Sequence, residues 1–156
     1  MFEKIKFFLS KKFIESHGLT IYHFRTTHLL SKKFLLHHMP DIGEKIKKND
    51  KIAQGFFIGT LGCFYELSGI LANLNNKKLK PERLANMIHE VFYKDWNMTN
   101  KEVFDIYVKT IETYNLHTQK KLLGEDLEKF KKGLKLLEKY YEDFLLLINF
   151  YKKNEK

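Results

Sequence analysis

Histidine is the side chain best suited to chemistry near neutral pH, as a metal ligand or a proton carrier. This chain has seven: His17, His23, His28, His37, His38, His89 and His117. A helix brings two ligands to one face only when they stand three or four residues apart, and no two histidines have that spacing. His23 and His28 are five apart and diverge, while the adjacent His37 and His38 point apart. Neither the Glu-x-x-His pattern of di-iron bundles nor the His-Glu-x-x-His of zinc proteases occurs. A lone histidine can ligate haem, but nothing singles one out. Ordinary surface and helix-end histidines are therefore expected, with no metal and no cofactor.

Other reactive groups are as sparse. Cys63, the single cysteine, lies in an apolar stretch, where a free thiol acts as a small hydrophobe. One thiol allows no internal disulfide, which suits a reducing cytoplasm. There is no phosphate-cradling glycine loop between a strand and a helix and no serine nucleophile elbow. No carboxylate pair stands in a setting suited to acid–base work. An enzyme is not expected.

One carboxylate does stand out. Residues 52–73 read IAQGFFIGTLGCFYELSGILAN and hold four of the eight glycines. In a helix each glycine costs about 1 kcal/mol relative to alanine, yet these fall in order. Ile52, Gly55, Gly59, Gly62, Glu66, Gly69 and Asn73 follow spacings of three and four, so the glycines line one face. Phe56, Phe57, Leu61, Phe64, Leu67, Ile70 and Leu71 cover the rest. A bare face admits a backbone or a flat ligand closely. Three readings follow. The segment is a central buried helix, apolar almost all round and crossed by another helix at its glycines. Alternatively it spans a membrane, since Gly55 and Gly59 match the GxxxG pattern, although Glu66 opposes insertion. Alternatively it lines a pocket for a planar or lipid-like ligand, with Gly55, Gly59, Gly62 and Glu66 as the binding residues. A carboxylate on that face must be paired, hydrated or protonated. A lysine or tyrosine from a neighbouring helix is the plain partner.

The elements that position these groups are helical. The 156 residues contain two prolines, many leucines, lysines and glutamates, and 15% aromatics. That length suits one domain with its own core. The clearest pattern is C-terminal: Leu127, Phe130, Leu134, Leu137, Tyr141, Phe144, Ile148 and Tyr151 alternate spacings of three and four. This is a heptad seam on a helix of about seven turns, which Gly124 precedes. Aromatics on the seam favour packing within the chain over a two-stranded coiled coil, with a dimer contact as the alternative. A capping box, Thr99-Asn100-Lys101-Glu102, starts a helix that runs to about Leu116, with Val103, Tyr107, Ile111 and Tyr114 as its buried face. Pro81 opens another, to about Lys94, with Leu84, Met87, Ile88, Val91 and Phe92 inward. Residues 21–36 form a helix ending before Pro40, although Thr20–Thr27 is rich in strand formers. Met39–Asp50 is a loop that can hold a short helical turn, and Phe2, Ile5, Leu9 and Phe13 share a face of a first helix. The expectation is an all-α protein: a single-domain bundle of about five helices over residues 1–156, with a glycine-striped central helix and a long C-terminal amphipathic helix.

The formal charge is +9, and residues 1–50 hold ten basic against five acidic side chains. An anionic partner would explain that excess. Yet 26 of the 28 basic residues are lysine, and specific recognition of phosphates and bases leans on arginine. Met1–Ile14 has no unbroken apolar core and no small-residue cleavage site, so it is not a secretory signal, nor is it long enough to span a bilayer. The leading expectation is a cytoplasmic, non-catalytic protein that works by protein–protein contact through self-association, given the seam and the aromatic surplus. A nucleic-acid-binding domain would use Lys11, Lys12, Arg25, Lys32, Lys33, Lys77 and Lys78, with Lys4, Lys6 and Lys80. Peripheral attachment to a membrane through the first helix, and ligand binding along the glycine stripe, complete the alternatives.

Overall fold

The computed structural model describes residues 31–71, 81–89, 92–93, 97–140 and 142. All regular structure among them is helical. The helices are α1 (residues 31–38), α2 (Ile42–Lys47), α3 (Lys51–Leu71), α4 (Pro81–His89), α5 (Asn100–Thr118) and α6 (Gly124–Lys139).

Their ends follow from local chemistry. Asp50 caps α3: its Oδ1 accepts from the backbone N–H of Ile52 at 2.9 Å and of Ala53 at 3.1 Å, satisfying two orphan donors. Asn49 takes the left-handed conformation just before it, φ 64°, which asparagine tolerates better than most residues. The expected capping box opens α5, with Thr99 Oγ1 accepting from Glu102 N and Glu102 Oε2 accepting from Thr99 N. α5 ends where Lys120 turns left-handed, φ 58°, and the Leu116 carbonyl accepts from the N–H groups of Lys121 and Leu122.

α3 is central. Phe56, Phe57, Leu61 and Phe64 are fully buried along it. They meet Phe34 and Leu35 of α1, Ile42 and Ile46 of α2, Leu84 and Ile88 of α4, Val103 and Ile106 of α5, and Leu137 of α6 in one core. Phe57 stacks on Phe92 with ring centres 5.3 Å apart. A smaller cluster of Ile58, Leu122 and Phe130 closes the corner between α5 and α6, with Tyr114, Leu127 and Leu134 around it. The most extensive contact joins α3 and α6. Over Leu127–Leu137 the C-terminal seam is therefore packed within the chain, with Phe130 and Leu137 fully buried. α6 runs to Lys139 and Tyr140 caps it. Most of the remaining seam, Tyr141 and Phe144 to Tyr151, lies outside the described residues, as do residues 1–30 and the proposed first helix.

Two expectations need correction. Met39–Asp50 is not simply a loop: α2 occupies its middle and buries Ile42, Gly43 and Ile46. And α5 is rotated by roughly a fifth of a turn from the face its large apolar residues imply. Its buried residues are Val103, Ile106, Thr110 and Thr113, while Tyr107, Ile111 and Tyr114 are half-buried on the flank. The threonines go inward because they are small and because one of them has a polar partner on α3. None of the described helices is long and apolar enough to cross a membrane.

Candidate functional site

The glycine stripe meets α6 at its first position. A Cβ on Gly55 would collide with the Phe130 carbonyl oxygen and stand 3.2 Å from the Gly133 Cα. A Cβ on Gly133 would collide with the Ile52 carbonyl oxygen and stand 2.7 Å from the Phe56 nitrogen. Real Cβ atoms do not come so near, so two glycines on two helices let the backbones touch. At Gly55 the space left by the missing side chain thus holds another helix. Gly59 is buried. Gly62 is half-buried, and a Cβ there would meet nothing within 4 Å. Glu66 continues the stripe on the α3 backbone, and its side chain lies outside the described residues. Gly55 and Glu66 are eleven residues apart, about 16 Å along the helix.

Beside the crossing lies a polar cluster with a buried centre. Thr113 Oγ1 donates to Gln54 Oε1 at 2.7 Å, and both side chains are out of solvent. Lys51 Nζ donates to Thr113 Oγ1 at 3.1 Å and to Asn49 Oδ1 at 2.9 Å. Gln54 Nε2 donates to the same Asn49 oxygen at 3.1 Å. Every group finds its partner inside the cluster, which clamps the start of α3 to α5. A second clamp ties α2 to α5. Lys47 Nζ lies 3.2 Å from Glu102 Oε1, and Lys109 Nζ donates to the Lys47 carbonyl. Bonding to the Thr99 N–H, then to Lys47, holds the Glu102 carboxyl below its usual range, and the Glu102 contact raises Lys47.

The described histidines sit against aromatic rings. His38 stacks on Tyr140 at 4.0 Å and meets Phe34 and His37 edge-on at 4.7 Å, so the two adjacent imidazoles, expected to point apart, are in contact. His89 stacks on Tyr93 at 4.8 Å, and His117 lies 4.6 Å from Phe130. No group of three metal-ligating side chains occurs among the described residues. Cys63 is buried in the core. Of the basic candidates, Lys32 is half-buried and Lys33 exposed on α1. Lys11, Lys12, Arg25, Lys77 and Lys78 lie outside the described residues.

What sequence reasoning missed is the outer face of α5. Phe104 is 62% exposed, among the most exposed large apolar side chains described. Its ring centre is 6.5 Å from that of Tyr107, and Val108 and Ile111, both half-buried, continue the stripe along the helix. Tyr107 and Ile111 also pack against the core on one side, so Phe104 and Val108 form the outermost part of the stripe. The signal was present: Phe104, Val108 and Ile111 follow spacings of four and three, a second apolar stripe opposite the buried threonines. Spacing alone does not separate it from the buried face, because Ile111 belongs to both patterns. Neither family models, nor curated proteins, nor solved structures give any match to this chain.

Proposed function

We propose that this chain is a non-catalytic helical protein of the cytoplasm that acts through protein–protein contact, and that it associates with itself. The observation that carries this reading is the α5 outer face. An aromatic side chain left 62% exposed, beside a second ring and two aliphatic residues, is the kind of surface that proteins bury between chains. A lone exposed leucine needs no such explanation. A stripe with helical spacing on a helix already anchored on its other side does.

The test is sedimentation velocity on the whole chain across the micromolar range, with Phe104→Glu beside it. Phe104 lies outside the core, so the variant keeps its helicity and thermal midpoint. The wild type is expected to shift towards a dimer as concentration rises, and the variant to stay monomeric. A wild type that remains monomeric throughout overturns self-association.

A further inference from the structure

The charges beside the α5 stripe are arranged for one kind of partner. Lys101 and Glu112 are both exposed. Neither takes part in the ion pairs found among the described residues. They stand eleven residues apart, about three full turns, so they lie on the same side of the helix, one near each end of the stripe. The opposite flank carries Asn100, Tyr107 and Tyr114 and no charge. Asp105 lies further round the charged side.

This pattern is self-complementary in one orientation. When two identical helices pack antiparallel about a two-fold axis, like flanks face each other and the ends exchange. The basic end of one charged flank then meets the acidic end of the other. In a parallel pair the charged flank would face the uncharged one, and neither ion would gain a partner. The midpoint of Lys101 and Glu112 falls between residues 106 and 107, within the stretch from Phe104 to Ile111. The centres of the charge pattern and of the apolar stripe therefore lie about one residue apart.

We propose that α5 pairs with α5 of a second copy, antiparallel about a two-fold axis near residues 106 and 107, with Phe104, Val108 and Ile111 in the seam and Lys101 beside Glu112 of the partner subunit. This rests on the self-association proposed above and gives it a geometry. One helix face of a few turns is a small interface, so the association is micromolar and the flanking charges set its orientation more than its strength.

The experiment uses the whole chain and two variants, Lys101→Glu and Glu112→Lys, with circular dichroism to check folding. Each alone puts like charges together twice in the dimer and weakens association roughly tenfold or more. Mixed in equal amounts they form a heterodimer in which every pair is again opposite in sign, with affinity near that of the wild type. The double variant in one chain recovers self-association too. A wild type that dimerises while the single variants dimerise equally well, or while their mixture fails to recover, overturns this geometry and leaves self-association standing. A monomeric wild type overturns both.

Discussion

α6 meets α3 backbone to backbone at Gly55 and Gly133, with no room for a methyl group on either side. α5 meets the same helix at the adjacent residue, on a different side, through side chains, Thr113 on Gln54 with Lys51 and Asn49 around them. The first contact depends on what is absent and draws its strength from dispersion between close surfaces. The second depends on a buried pair, Thr113 and Gln54, that has left water and must be satisfied, with half-buried Lys51 and exposed Asn49 closing it from the rim. The two joints should therefore fail differently. One is intolerant of volume, the other of a lost hydrogen bond.

The largest effect separates glycines that look alike in sequence. Alanine in place of a helical glycine ordinarily stabilises by about 1 kcal/mol, and Gly62→Ala should follow that rule because its Cβ meets open space. Gly133→Ala should reverse it and destabilise by about 3 kcal/mol, because α6 must move away from Ile52 and Phe56. Urea denaturation of the two variants reads the signs directly. If Gly133→Ala is as stable as the wild type, the backbone contact between α3 and α6 is not there.

The polar joint makes the next contrast. Thr113→Val removes the donor to Gln54 Oε1 and one of the acceptors for Lys51, leaving the buried Gln54 oxygen without that donor, and should cost about 2 kcal/mol. Thr110 lies one turn earlier on the same face, and its buried hydroxyl bonds to no described group. Thr110→Val keeps the shape and removes an unsatisfied oxygen, so it should be neutral or stabilise by about 1 kcal/mol. The same exchange three residues apart would thus have opposite signs. Equal destabilisation by both would show that valine fits neither site, and that the hydrogen bond is not what distinguishes them.

How far the sequence discloses these joints depends on the kind of contact. The glycine spacing in α3 is plain because a helix tolerates such residues only for a reason, and the central helix is legible from it. Its mate is not: Gly133 is the one glycine in the interior of a lysine-rich helix, and nothing in the sequence pairs it with Gly55. Capping at Thr99 is legible because it is local. The inward threonines of α5 are not, since reading a face from bulk places Tyr107 and Ile111 inside and overlooks that a hydroxyl with a partner is a core group. Phe104 is not legible for a related reason: its stripe shares Ile111 with the buried-face spacing. Capping also supplies an intermediate test. Thr99→Ala removes the hydroxyl that accepts from Glu102 N, should cost about 1 kcal/mol, and should free the first turn of α5 to exchange its amide protons faster.

The smallest effect concerns the corner where α5 and α6 meet each other. His117 lies in the last turn of α5 against the Phe130 ring. Burial, and then the charge of Lys131, hold its imidazole below the ordinary value near 6.5. The negative end of the α5 dipole acts the other way but does not prevail. Near pH 6 the unfolded chain therefore binds this proton more than the folded chain does. Stability falls as pH drops below the unfolded value, and the loss levels off once the folded imidazole titrates as well. Glu102 and Glu125 are held below their ordinary 4.5 by hydrogen bonds, chiefly to the Thr99 N–H and to Lys129. Their contributions disappear only in more acid solution, so the two windows are distinct. Urea midpoints measured between about pH 7 and pH 5.5 should fall less for His117→Gln than for the wild type, while the other histidines contribute equally to both. Equal slopes would mean that the imidazole reaches solvent as freely in the folded corner as in the unfolded chain, and that Phe130 is sealed by Ile58 and Leu122 alone.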